Sequence, residues 1–235
     1  MLTRFDELPP AMRCEAVKSY YGALEKKRAA LIIKRAFDIL MSALLLLLLS
    51  PALIIIAIAI KCDSAGPVFF RQLRVTRDMR DFSIFKFRSM VKNASELGGA
   101  LTVDGDRRVT KVGAFLRTTR LDELPQLINI LRGEMSFVGT RPEVREYVER
   151  YSDDMLATLL LPAGVTSRAS IEYIEESELL KNAEDADAVY IDEILPRKME
   201  YNLAYLRDFS ITEDAAVMLK TIAAVVKSSK RAAND

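Results

Sequence analysis

From Ile39 to Ile60 the chain runs ILMSALLLLLLSPALIIIAIAI, 22 residues without a charge. At about 1.5 Å per residue a helix of that length reaches about 33 Å, enough to cross the hydrocarbon of a bilayer. The 38 preceding residues, an apolar core longer than a signal-peptide h-region and the lack of a small-x-small site argue against cleavage, so the segment is expected in the mature protein. Lys26, Lys27, Arg28, Lys34 and Arg35 precede it, and Lys61, Arg71, Arg74, Arg77 and Arg80 follow it. Both flanks therefore carry the signature of a cytoplasmic side, which one straight crossing cannot satisfy. Pro51 removes an intrahelical donor near the middle, and Ser50 can serve a freed carbonyl. Together these predict a re-entrant helix that bends at Ser50-Pro51 and leaves on the face it entered; a single-pass anchor with a proline kink is the alternative. Asp38, one turn from the apolar boundary, needs a partner, and Lys34 four residues earlier is the expected one.

The remaining chain can bury a core of its own, since 235 residues make one ordinary domain. A formal charge of +1 conceals a strong asymmetry: residues 61–120 carry 13 basic and 6 acidic side chains, residues 121–180 carry 5 and 12. A basic third of this kind fits phosphate or anionic lipid, or a solvated face set against the acidic one. The absence of histidine excludes Ser-His-Asp and Cys-His nucleophilic sites and His-ligated zinc. Catalysis would fall to carboxylates, Lys, Arg, Tyr, Ser, Thr or backbone. Cys14 and Cys62 lie far apart with no CxxC, as in a reducing compartment. Neither GxxxxGK[ST] nor GxGxxG occurs, so phosphate-loop and dinucleotide folds lack support.

The fold class expected is α+β: a mostly helical membrane-associated domain with the re-entrant segment, a small β-hairpin and surface amphipathic helices. Three regions follow: an amphipathic helical segment at 1–33, the membrane helix at 34–61, and a cytosolic part of the same domain at 62–235. Residues 11–29 alternate apolar and basic positions at helical spacing, which suits a helix on the membrane surface or one packed on the protein. Val68–Gln72 and Phe82–Arg88 read as the hairpin. Alternation puts Lys86 and Arg88 on one face, as a phosphate cradle or a solvated strand face.

The stretch Leu121-Asp122-Glu123-Leu124-Pro125-Gln126 reads as a helix start, with Asp122 near the N-cap, Pro125 tolerated in the first turn and Gly133 closing the helix. Acidic residues suit a helix start for purely structural reasons. Alternatively, one carboxylate attacks phosphorus and the other holds a divalent metal, with Arg117, Arg120 and Arg141 around them. Met135–Val138 reads as a strand leading to a turn that displays Arg141. Residues 162–166 read as a second turn, 145–161 as one helix, and 171–187 as an acidic surface excursion. Helices at 188–208, interrupted near Pro196, and at 212–227 complete the chain.

In order, Lys34-Arg35-Ala36-Phe37-Asp38, Ser50-Pro51, Gly66–Gln72, Lys86-Phe87-Arg88-Ser89-Met90, Leu116–Leu127 and Met135–Pro142 resemble the bacterial sugar transferases, the monotopic phosphoglycosyl transferases. The likeness covers about residues 30–170 and its length is that of small members made of the catalytic unit alone. It implies a bacterial inner-membrane protein with its catalytic part on the cytoplasmic face. The reaction implied moves a sugar-1-phosphate from a UDP-sugar to polyprenol phosphate, releasing UMP and initiating a surface glycan or glycoconjugate. It further implies Asp122 as nucleophile, Glu123 as magnesium ligand with Asp122 beside it, and a re-entrant break at Ser50-Pro51. Lys86, Arg88, Arg117 and Arg141 are then the candidates for contacting phosphate. UDP-sugar, polyprenol phosphate and membrane lipids are the expected partners; nucleic acid is not, and a homo-oligomer is left open. The chain departs from the family pattern at Thr76 and Met79, where glycine is usual, at Thr140, where proline is usual, and at Pro162–Ser167, where the family has Pro-Gly-Ile-Thr-Gly. A non-catalytic membrane-anchored scaffold that binds polyanions or lipid through residues 61–120 is the competing reading.

Overall fold

A computed structural model describes residues 2–94, 106–173 and 186–232. The acidic excursion expected at 171–187 falls largely outside the described residues. Helix α1 spans Glu15–Glu25 and α2 spans Arg28–Asp63. Antiparallel strands β1 (Phe69–Val75) and β2 (Asp81–Phe87) form the expected hairpin, with Phe69 opposite Phe87 and Arg71 opposite Phe85. Next come α3 (Lys111–Thr118), a 3-10 turn at Leu121–Glu123, α4 (Gln126–Arg132) and β3 (Met135–Val138). Two short helices, α5 (Arg145–Val148) and α6 (Asp153–Leu156), lead to β4 (Ala163–Thr166) and α7 (Arg168–Glu172). The chain finishes with α8 (Ala186–Val189), a π-helical turn at Tyr190–Ile194, α9 (Leu195–Asp208) and α10 (Ile211–Ala232).

Among the described residues α2 alone is long and apolar enough to cross a membrane. It runs through Ser50-Pro51 as one helix rather than two halves separated by a break. The reason lies in the hydrogen bonding: Pro51 cannot donate to the Leu47 carbonyl, and the Ser50 hydroxyl donates to that oxygen instead, at 2.8 Å. One stripe of α2 packs on the rest of the protein along its whole length, through Leu31, Lys34, Asp38, Ser42, Leu45, Leu49, Leu53, Ile56 and Ile60. The opposite side exposes Ile33, Leu40, Leu44, Leu47, Ile54 and Ile58.

The expected Lys34–Asp38 pair does not form. Both side chains point into the packed stripe, where other elements reach them first. Lys34 donates to Asp214 at 2.6 Å and to the Val138 carbonyl at 2.9 Å, while Asp38 accepts from the Ser136 hydroxyl and the Phe137 amide. Burial demands several partners for each charge, and β3 with α10 supplies more of them than a neighbour one turn away.

Helix α1 packs on the protein, not on a membrane surface. Val17, Tyr20, Tyr21 and Leu24 are buried with Leu156, Leu160, Tyr205 and Phe209, which consumes the apolar face a bilayer would need. The segment read as a turn at 162–166 is strand β4, parallel to β3, with Met135 opposite Ala163 and Val138 opposite Thr166. Its backbone passes so close to β3 that a Cβ on Gly164 would stand 2.2 Å from backbone atoms of Gly139. The helix expected over 145–161 is divided, because Ser152 turns out of it and caps α6 by accepting from the Met155 amide. Asp78 and Met79 both adopt φ of 56°, the left-handed region; Met79 thus stands where glycine would be free of strain.

Candidate active site

Three elements bring the site together. The 3-10 turn carries Asp122 and Glu123, β2 carries Lys86, and the turn after β3 carries Arg141. Arg120, with φ of 58°, sets the entry to the 3-10 turn. The expected N-cap role of Asp122 does not appear, since α4 begins four residues later with Pro125 as its N-cap. Gly133 ends α4 in the left-handed conformation, as expected. Asn129 locks α4 to the hairpin by accepting from the Phe85 amide and donating to the Ser83 carbonyl.

Glu123 is held between two cations. Lys86 Nζ lies 3.0 Å from Oε1, and the Arg141 guanidinium closes on the same oxygen and reaches Oε2. Arg141 is steadied from behind by the Val165 carbonyl of β4. Burial alone would raise the Glu123 pKa; Arg141 and then Lys86 outweigh it and hold the group well below the ordinary carboxylate range. Burial pulls Lys86 down against the opposing pull of Glu123.

Asp122 behaves oppositely one residue away. It is 8% exposed, and its Oδ1 is buried without a hydrogen-bond partner. Burial pushes its pKa up; Lys86 opposes that, Glu123 reinforces it, and Arg117 and Arg120 oppose it weakly. The result is a carboxylate that is poorly solvated and close to cations, yet not tied down by them. Such a group is more nucleophilic than one in water.

The remaining candidates sort by distance from this pair. Arg117, in the last turn of α3, acts on Asp122 through charge and makes no hydrogen bond to either carboxylate. Arg88 does not join the group. It is buried against the end of α2, donating to the carbonyls of Ser64 and Pro67 and to the Ser64 hydroxyl, so it caps α2. Gly66 makes room for it, since a Cβ there would stand 2.4 Å from the guanidinium. Lys34, Asp38, Ser50 and Pro51 all belong to the α2 scaffold and not to the pocket.

Sequence reasoning passed over Gln126 and Glu143. Gln126 is 1% exposed with both side-chain polar atoms unpartnered. Glu143, two residues beyond Arg141, accepts from Tyr190 and lies 3.6 Å from Arg74. A polar residue among the apolar positions of an otherwise buried helix face was the available signal for Gln126; Glu143 gave none, because its partners come from distant elements.

No group of three or more Cys, Asp or Glu side chains poised to hold a metal occurs among the described residues. Magnesium binds through one or two carboxylates together with substrate phosphate oxygens and water, and Glu123 could join it only by exchanging Lys86 or Arg141, which now take both its oxygens. The unpartnered Oδ1 of Asp122 is one free donor.

A profile of the bacterial sugar transferases matches residues 29–228. This chain belongs to that family. It is 36% identical over 208 residues to a UDP-N-acetylgalactosamine-undecaprenyl-phosphate N-acetylgalactosaminephosphotransferase of Aeromonas hydrophila, covering 87% of this chain and 46% of the relative. It is 38% identical over 196 residues to a UDP-glucose:undecaprenyl-phosphate glucose-1-phosphate transferase of Klebsiella pneumoniae, covering 82% and 40%. An undecaprenyl-phosphate galactose phosphotransferase of Salmonella typhimurium shares 34% over 217 residues, covering 86% and 42%. This family member thus spans less than half the length of these relatives. Within the family the match embraces both α2 and the Asp122-Glu123 turn.

Proposed function

We propose that this family member transfers a sugar-1-phosphate from a UDP-sugar to polyprenol phosphate with release of UMP. The observation that carries this reading is the contrast within the dyad: Glu123 clamped by Lys86 and Arg141, Asp122 buried with a free oxygen. In the first step an Asp122 carboxylate oxygen attacks the phosphorus bonded to the sugar. The bond from that phosphorus to the UMP oxygen breaks, UMP departs with the electron pair, and an acyl phosphate remains on Asp122. In the second, a polyprenol phosphate oxygen attacks the same phosphorus; the acyl phosphate bond breaks, the pyrophosphate-linked sugar leaves and the carboxylate is restored. Neither nucleophile needs a general base, which suits a chain without histidine.

Lys86 and Arg141 position Glu123 and neutralise charge developing on the phosphates, and Arg117 adds to the same field. Glu123, on exchanging Lys86 or Arg141 for the metal, and Asp122 beside it would hold magnesium, which when bound neutralises the diphosphate of the donor. The UDP-sugars in the names of the Aeromonas and Klebsiella relatives, and the undecaprenyl phosphate in all three names, support the substrate class.

The same reading puts α2 in the membrane as a monotopic element, with the catalytic part on the cytoplasmic face of a bacterial inner membrane. Support comes from the continuous packed stripe. One body touches α2 from Leu31 to Ile60, with Arg35 on the Ile130 and Leu131 carbonyls towards one end and Arg88 on the Ser64 carbonyl at the other.

The test is UMP release from a panel of UDP-sugars with magnesium and no acceptor. At least one sugar should yield UMP in proportion to enzyme, and Asp122→Asn should abolish it. Wild-type turnover by the Asn variant would overturn the assignment.

A further inference from the structure

Five buried side-chain atoms lack a hydrogen-bond partner among the described residues, and three of them lie within one short segment: Asp122 Oδ1, Gln126 Nε2 and Gln126 Oε1. An unmade hydrogen bond in the interior costs about 1–3 kcal/mol, so a buried amide with neither end satisfied asks for an explanation. Leucine would fit the same helix face without that cost, and Leu127 and Ile130 beside it are packed in the apolar cluster.

The backbone brings the two groups together. Helical i→i+3 hydrogen bonds link Leu124 to Leu121, Leu127 to Leu124 and Ile128 to Pro125, so the 3-10 turn and α4 form one wound segment without an intervening loop. Gln126 follows Asp122 by four residues, and helical side chains lean toward the N-terminal turn. Gln126 thus lies about one turn beyond Asp122 on the same segment, and the two side chains are not hydrogen-bonded to each other in this structure. Lys86 and Arg141 both bind Glu123, and Arg117 reaches Asp122 through charge alone.

We propose that Gln126 is a positioning residue for the nucleophile: its Nε2 donates to one oxygen of the Asp122 carboxylate in the reacting enzyme and leaves the other oxygen aimed at phosphorus. The inference rests on the reading of Asp122 as nucleophile. An amide suits the task because it fixes a carboxylate without neutralising it; a lysine or arginine there would form an ion pair and blunt the attack. In this arrangement Gln126, itself buried, would act through Asp122 and not on the substrate.

The test compares wild type, Gln126→Leu and Asp122→Asn in detergent or nanodiscs, using the first turnover of UMP release with a UDP-sugar that the wild type accepts. Thermal unfolding is measured alongside. Gln126→Leu is expected to slow UMP release about 10- to 100-fold, the range for loss of a group that orients a reacting atom. Half-saturating UDP-sugar should change less than about threefold, as expected when only the transition state loses an interaction. Removing two unsatisfied polar atoms should leave the melting temperature unchanged or raise it. Wild-type rate in Gln126→Leu, a slower rate matched by a lower melting temperature, or a loss confined to UDP-sugar affinity would each overturn the proposal. UMP release at the wild-type rate by Asp122→Asn would instead overturn the nucleophile assignment beneath it.

Discussion

Asp122 and Glu123 are neighbours with the same functional group, and their surroundings drive them apart. Glu123 gains stability from its cations, whereas ionised Asp122 is a cost to the native state that its raised pKa records. The sign of that cost is fixed: it is present above the native-state pKa, declines as pH falls through that value, and vanishes below the unfolded-state pKa. Asp122→Asn should therefore raise the melting temperature near pH 7 by a few degrees, at about 2–4 °C per kcal/mol for a chain of this size, with the gain disappearing in acid. Differential scanning at both pH values checks it. Glu123→Gln should do the reverse, losing roughly 1–3 kcal/mol at neutral pH because Lys86 and Arg141 are left without their anion; chemical denaturation measures this. Lys86 is the largest opponent of burial at Asp122. Hence Lys86→Met should shift the acidic limb of UMP release upward in pH, and an unmoved limb would separate Lys86 from the nucleophile. The dyad itself was legible in the sequence as adjacent acids near basic residues. The contrast in their surroundings was not, because Lys86 and Arg141 arrive 37 residues before and 18 residues after Glu123.

At the scale of elements, legibility followed how local the determining interaction is. The hairpin could be read from alternation and a charged turn, and the end of α4 from Gly133. Strand β4 could not, because Ala163-Gly164-Val165-Thr166 is short, begins after Pro162, and becomes a strand only through its parallel partner β3. That pairing rests on two glycines in contact. Gly164→Val should prevent folding, since its side chain would enter the Gly139 backbone; loss of monodisperse protein after extraction is the expected readout. Ser50→Ala should be mild by comparison. It leaves the Leu47 carbonyl of α2 without its hydroxyl donor, at about 1 kcal/mol. Likewise the Lys34–Asp38 expectation was locally sound and was overridden by tertiary partners on β3 and α10.

For the whole molecule, the near-neutral net charge conceals a basic region on the hairpin side and an acidic one beyond it, joined at the dyad. Helix α2 is part of the same body as the site, because its packed stripe shares a cluster with Phe82, Ile84, Leu127 and Ile130 of β2 and α4. Disturbing α2 should thus lower activity as well as membrane attachment. In a cysteine-free background, impermeant labels at sites before Lys34 and after Lys61 should react from the same side of sealed vesicles. Reaction from opposite sides would replace the monotopic arrangement with a single crossing. The central claim is chemical, and intact-protein mass spectrometry addresses it most directly. Incubated with an accepted UDP-sugar and magnesium but no acceptor, the wild-type chain should gain the mass of one sugar phosphate on Asp122 and release one UMP per chain, with Asp122→Asn showing neither. Rapid turnover with acceptor but no adduct at any time, or an adduct on another residue, would contradict the account.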